Sequence, residues 1–186
     1  MFNQKIVCVV GDITQPKIGL SDSDYQRVTA ETNIIIHSAA DVSFDKPFQT
    51  ILKINYFGSL EMLELARNCR NMLCFNQCTT VAANNNLYPS KANMVIEERV
   101  YETEGKIEEA HKTVQEIMAL PHEEAQRKER KYMGQHAYNY SYTKQMVEKS
   151  LVHLHDTVPT LITRVGILTN AMYEPYPGFI DSMQSY

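Results

Sequence analysis

No apolar run in this 186-residue chain approaches the ~20 residues that a membrane-spanning helix needs, so no span is expected. Positive charge is also scarce. The 18 Lys and Arg are outnumbered by 22 Asp and Glu, for a net charge of −4, which argues against a nucleic-acid surface. A local basic patch can still receive a phosphorylated ligand. Cysteine is limited to Cys8, Cys69, Cys74 and Cys78, without metal-ligand spacing. No metal site is expected, and buried reduced thiols suit a reducing compartment. The N-terminus has no signal-peptide organisation. Glycine is rare as well, with 7 in all and none clustered in a turn. What remains, 44% hydrophobic and 22% charged residues, suffices for one globular domain over 1–186 with a sizeable core.

Four short apolar runs have the length and β-branched content of buried parallel strands: Lys5 to Val10, Asn33 to His37, Met72 to Cys78 and Thr160 to Arg164. Helical patterns separate them. Ser21 is placed to cap a short helix towards Ala30, and apolar residues recur at helical intervals from Pro47 to Arg70. Gly58 interrupts that second pattern at a cost of about 1 kcal/mol relative to alanine, which implies close packing or ligand approach. A third helix is expected from Ala137 to Asp156. The charged stretch 97–133 has one breaker, Pro121, and is expected to form an insertion of two amphipathic, solvent-exposed helices. A solvated face explains its charge, and a lid over a ligand is the sharper alternative. Alternating strands and helices predict an α/β fold with a doubly wound parallel sheet.

Tyr140 and Lys144 stand four residues apart and share one helix face. A positive Lys144 is expected to favour phenolate at Tyr140, lowering a pKa that is ordinarily near ~10. Such a phenol can protonate a carbonyl oxygen as hydride reaches the carbon, the chemistry of a nicotinamide-dependent reductase. Thr79-Thr80 ends the third predicted strand, where either hydroxyl offers a second donor to that oxygen or simply closes a turn. Gly11-Asp12 follows the first strand, placing an acid where it can bond an adenine amino group or make an ordinary turn. Ser38-Ala39-Ala40 closes the second strand with small residues that let a dinucleotide approach the backbone. Asn55 can fix backbone or water near a nicotinamide, or lie on a helix surface. Gly166 lets a loop pass the carboxamide.

Taken in order, these residues resemble the fatty acyl-CoA reductases, a male-sterility-type branch of the extended short-chain dehydrogenase/reductases. Val9 to Ile13 resembles the adenine-contacting segment, and His37 to Asp45 is similar to a His-x-Ala-Ala-x-x-x-Phe-Asp stretch. Asn55 to Ser59 resembles the Asn-x-x-Gly-Thr helix. Phe75 to Ala82 occupies the place of a strand ending Ser-Thr-Ala-Tyr, which assigns the catalytic hydroxyl to Thr80. Ile96-Glu97-Glu98 is similar to the opening of the helical insertion. Asn139 to Lys144 is similar to a Thr-Tyr-x-x-Thr-Lys core, and Glu174 to Asp181 resembles the Glu-Pro-x-Pro-Gly-Trp-x-Asp signature.

The resemblance implies a Rossmann-like fold and NADPH-dependent reduction of a long-chain fatty acyl-CoA to aldehyde, then alcohol. It implies catalytic roles for Tyr140, Lys144 and Thr80. Cofactor contacts are implied at Asp12, Ile13, Ser38, Ala39, Ala40, Asn55, Thr79, Tyr140, Lys144, Val165 and Gly166. The chain departs from the pattern in three places. The turn Thr-Gly-x-Thr-Gly-Phe-x-Gly is absent, Val81-Ala82 replaces Ala-Tyr, and Val165-Gly166 replaces Pro-Ser. An internal portion of a longer intracellular reductase, lacking the first strands, is therefore expected. Attachment to the cytoplasmic face of a peroxisomal or endoplasmic-reticulum membrane would come through other segments. Three alternatives stand beside it: a thioester reductase domain acting on carrier-bound acyl chains, a non-catalytic remnant, and a reductase of sugar nucleotides or small ketones.

Overall fold

The computed structural model describes residues 5–43, 45–90, 97–103, 105–166 and 170–180. Phe44, Ile96 and Asp181, which belong to the resembling stretches, lie outside these. Helix α1 spans Asp22–Glu31, and Ser21 caps it by accepting a hydrogen bond from the Asp24 N–H. Strand β1 (Ile34–His37) follows. The helical pattern expected from Pro47 to Arg70 is one run in three pieces. These are α2 (Phe48–Ile51), a π-helical turn (Leu52–Phe57) and α3 (Gly58–Asn68). Strand β2 is Cys74–Thr80, and two tight 3₁₀ turns that meet at Asn84 continue to Ser90. Helices α4 (Ala110–Ala119) and α5 (His122–Met133) flank Pro121 as expected. Helix α6 is Asn139–Leu154, and β3 is Thr160–Val165.

The three strands form a parallel sheet in the order β1-β2-β3, with Ile35 opposite Phe75 and Phe75 opposite Thr160. Their register puts Ile35, His37, Phe75, Gln77, Thr79 and Arg164 on one face, against α3 and α6. The core lies there: Phe48, Leu52, Tyr56, Phe75, Tyr142, Val147 and Leu151 are all buried. Burial of each such large side chain contributes about 1.5–3 kcal/mol. On the other face Ile34 (58% exposed), Ile36 (67%) and Leu161 (52%) meet solvent.

One expected strand is corrected. Among the described residues Lys5 to Val10 joins no ladder, and Val10 is 91% exposed. A β-branched run becomes a strand only when a neighbour pairs with its N–H and C=O groups, and among the described residues β1 hydrogen-bonds to β2 alone.

The insertion helices are amphipathic, but they are not simply solvated. Val114 and Ile117 of α4 are fully buried in the main core with Met133 of α5. The Gln49 amide donates to the carbonyls of Ile117 and Leu120 (both 2.9 Å), satisfying the C-terminal end of α4. The thiols divide: Cys69 is buried, whereas Cys8, expected to be buried, is exposed.

Candidate active site at the strand ends

Parallel strands that end at one level create a crevice at their carboxyl ends. Ser38 and Ala39 leave β1 there as exposed residues, with Ala40 half-buried behind them. Thr80 lies opposite Val165 in the β2–β3 register, so Thr80, Val165 and Gly166 form the neighbouring rim. A Cβ at Gly166 would meet nothing within 4 Å, which leaves that rim open.

Helix α6 brings its face over this edge. Lys144 is 3% exposed, and its ammonium donates to the Cys78 carbonyl (3.2 Å). The same ammonium lies 5.8 Å from the centroid of the half-buried Tyr140 ring. Burial pushes Lys144 down to about 8. Burial also pushes the Tyr140 phenol above its ordinary value. The expected lowering by Lys144 is therefore not what this arrangement produces: the cation sits against the ring face, and desolvation of the phenol dominates. A phenol raised in this way stays protonated at neutral pH, the form that donates.

Asn55 is not a surface amide. It lies in the π-helical turn, 1% exposed, and clasps the loop after β1 in both directions. Its Oδ1 accepts from the Asp41 N–H (2.8 Å), and its Nδ2 donates to the Asp41 carbonyl (2.9 Å) and to Thr143 Oγ1 (3.4 Å). It thus joins the Ser38–Ala40 rim to the residue before Lys144. The π turn rotates this side chain inward, a use of π-helix common at functional sites.

Ile13 packs on the start of α3, and Asp12 precedes it in the same loop. A Cβ on Gly58 would lie 2.9 Å from Ile13 Cδ1 and 3.3 Å from Ile13 Cβ, so the glycine exists for close packing of Ile13. The Asp12 carboxylate accepts from the N–H (2.9 Å) and hydroxyl (2.8 Å) of Thr14, which lowers its pKa. That is turn chemistry, and Gly11 makes it possible, because a Cβ there would sit 2.7 Å from the Ile18 carbonyl oxygen.

The two threonines separate. The Thr79 side chain is buried and donates to Glu148 of α6 (2.5 Å), so its hydroxyl serves the protein interior rather than the rim. Thr80 accepts from the Ala82 N–H (3.2 Å), closing a turn; among the described residues that is the partner of its hydroxyl, and Tyr140 is not.

Three residues of this region are absent from the sequence-based site. His37, 3% exposed, has an Nε2 without a hydrogen-bond partner among the described residues, and burial beside the Lys144 charge pushes it down to about 4. Glu148 and Arg164 form a buried ion pair at 2.7 Å. Continuation of the Tyr140-Lys144 spacing by one more turn was the available signal for Glu148. For His37 the signal was a polar residue ending an apolar strand.

Two features of the strand ends are consistent with a nicotinamide dinucleotide: the open space beside Gly166, and the buried His37 Nε2, which has no hydrogen-bond partner among the described residues. Among the described residues no cluster of three metal-ligating side chains occurs, and no helix is long and apolar enough to cross a membrane.

Comparison with known proteins bears on the family and the fold. Fatty acyl-CoA reductase 8 of Arabidopsis thaliana is 28% identical over 203 aligned positions, which cover 100% of this chain and 41% of that protein. Fatty acyl-CoA reductase 1 of Rattus norvegicus is 26% identical, over 97% of this chain and 33% of that protein. The chain thus spans about a third of the length of most curated relatives it matches. Among solved structures, a thiolation-reductase di-domain from an archaeal non-ribosomal peptide synthetase shares the fold. Its TM-score is 0.58 at 20% identity, over 92% of this chain and 30% of that one. The NAD-binding family model described as male sterility protein matches residues 1–186, and the chain belongs to that family.

Proposed function

We propose that the complete protein containing this chain is an NADPH-dependent fatty acyl-CoA reductase that forms an aldehyde and then a primary alcohol. One observation carries the reading: Tyr140 and Lys144 lie together on α6 above the carboxyl ends of β1 and β2, with the lysine anchored on the Cys78 carbonyl. NADPH supplies the hydride that reduces the thioester carbonyl with loss of CoA, and a second hydride reduces the aldehyde. The protein supplies the proton and the geometry. Tyr140 holds its proton at neutral pH and gives it to the substrate oxygen. Lys144 is mostly charged at neutral pH; it stabilises negative charge that develops on the phenol and holds the nicotinamide ribose. Thr80, whose oxygen accepts from the Ala82 N–H, donates its own hydroxyl proton to the same substrate oxygen. Ser38, Ala39, Ala40, Val165 and Gly166 line the cofactor, Asn55 holds the first of these segments in place, and Asp12 and Ile13 meet the adenine end. No cysteine nucleophile is needed.

The test uses the complete protein with NADPH and palmitoyl-CoA. Tyr140→Phe is expected to abolish aldehyde and alcohol formation while NADPH affinity, followed by fluorescence titration, stays within about threefold. Turnover retained by that variant would refute the assignment. A carrier-bound acyl chain reduced in preference to palmitoyl-CoA would instead favour a thioester reductase domain, the class of the solved structure that shares this fold.

A further inference from the structure

Glu148 lies one turn beyond Lys144 on α6 and is fully buried. A buried carboxylate is tolerated only when it is paired and hydrogen-bonded, and this one is. It accepts from the Thr79 hydroxyl at 2.5 Å, from Arg164 Nε at 3.0 and 3.2 Å, and from Arg164 Nη2 at 2.7 Å. Thr79 and Arg164 are register partners on β2 and β3, so both side chains leave the sheet on the α6 face and meet at one carboxylate. The guanidinium extends the cluster further. Its Nη2 donates to the Arg99 carbonyl (2.7 Å) and its Nη1 to the Glu97 carbonyl (3.3 Å), at the opening of the insertion. Next to it on α6, the Lys149 ammonium donates to the carbonyls of Thr103 and Gly105. One acid and one base thereby join two strand ends, the helix that carries the Tyr-Lys pair, and the insertion.

Apolar contacts of α6 with the core run through Tyr142, Met146, Val147 and Leu151, and such contacts are non-directional. Its polar contacts include Thr143 with Asn55, Ser150 with Tyr56 (2.7 Å) and Lys144 with the Cys78 carbonyl. The carboxylate cluster differs from these in being charge-assisted and in binding side chains of both β2 and β3 at once. The ionisable groups coupled to it are Arg164 of β3 and Lys144 of α6; Arg164 in turn interacts with Tyr101 of the insertion, and Lys144 with Cys78 of β2 and His37 of β1.

We propose that Glu148 is a positioning residue for the reaction: with Thr79 and Arg164 it fixes the register of α6 against the ends of β2 and β3, and so sets where Tyr140 and Lys144 stand relative to Thr80. This rests on the reductase reading given above. Thr79 belongs to this clamp, and its hydroxyl makes no cofactor contact.

The experiment uses the complete protein, once wild-type turnover and its loss in Tyr140→Phe are in hand. Glu148→Gln keeps the shape and removes the charge. Thr79→Val removes one hydroxyl at nearly constant volume, and Thr79→Ser restores it. The first two are expected to lower kcat by about 10- to 100-fold, the range set by a misplacement near 1 Å, with KM for NADPH and for palmitoyl-CoA within about twofold. Thr79→Ser is expected to recover most of the loss. In Glu148→Gln the alkaline limb of the kcat profile moves to lower pH, because Lys144 loses a neighbour that favours its charged form. Unchanged kcat in folded Glu148→Gln, no recovery in Thr79→Ser, or a Thr79→Val defect confined to KM for NADPH would each overturn the clamp. If Glu148→Gln does not fold, the Thr79 pair decides. If the reductase reading itself fails, hydrogen exchange at the α6 backbone amides still decides: protection is expected to fall about tenfold in Thr79→Val and to return in Thr79→Ser, and unchanged protection refutes the clamp.

Discussion

Two buried bases next to each other, His37 and Lys144, give the strand-end crevice a pH signature of its own. Both are pushed down, to about 4 and about 8, so the native state holds fewer protons than the unfolded chain over two separate windows. Stability therefore rises with pH from about 4 to 6.5 through His37, and again from about 8 to 10.5 through Lys144. Equivalently, acidification below pH 6.5 removes stability on the order of 3 kcal/mol as His37 is forced to charge. Denaturant unfolding across pH is expected to show both rises. His37→Gln should flatten the acid window only, whereas Lys144→Met should flatten the alkaline window and narrow the acid one, because the Lys144 charge is part of what lowers His37. A His37→Gln protein with unchanged acid sensitivity would show that the titrating group lies elsewhere. The Tyr-Lys spacing was readable from sequence because helical geometry alone puts positions four apart on one face. The direction of the Tyr140 shift was not, because it depends on how much water the fold removes from the phenol.

Among the elements, the helical run 48–68 shows how a local cost serves tertiary packing. Gly58 has ordinary helical angles (φ −57°, ψ −38°), so alanine would gain about 1 kcal/mol by propensity. Ile13 lies across it, and its own Cβ, which no rotamer change moves, is 3.3 Å from the position an alanine methyl would take. Gly58→Ala is therefore expected to lower the melting temperature, and Ile13→Ala in that background to give back part of the loss. Additive effects in this double-mutant cycle would disprove the contact. The insertion was legible as two helices around Pro121, because a proline and amphipathic spacing are local features. Its membership of the core was not legible, since many charged residues mask the few apolar positions that meet α2 and α6. Ile117→Ala should cost about 2–5 kcal/mol of global stability by denaturant titration. A cost near zero would return the insertion to the status of a separate lid.

For the molecule as a whole, the decisive asymmetry is between the two faces of the sheet. Helices cover one face. The other presents Ile34, Ile36 and Leu161 to solvent, with Val10 and Val7 of the unpaired N-terminal segment also exposed. Exposed apolar faces next to an open strand edge drive association. The 186-residue chain by itself is expected to form oligomers or aggregates at micromolar concentration in sedimentation velocity. Ile34→Lys combined with Ile36→Lys should shift it towards monomer. A monomeric wild-type chain would contradict this reading of the face. The same asymmetry explains the one misread strand. Lys5 to Val10 has the composition of a buried strand, but strand formation is settled by a partner, which composition does not reveal.

The amino-acid order alone determined the parallel α/β architecture, the three paired strands to within two residues at each end, the helices, and the family resemblance, because these follow from periodicity, capping and local motifs. Only the tertiary structure decided which hydroxyl of Thr79-Thr80 turns inward, that Asn55 clasps a loop, that His37 is buried, and that Glu148 and Arg164 meet. Each of those depends on the register between strands and the rotation of α6, which are fixed by contacts between residues far apart in the chain.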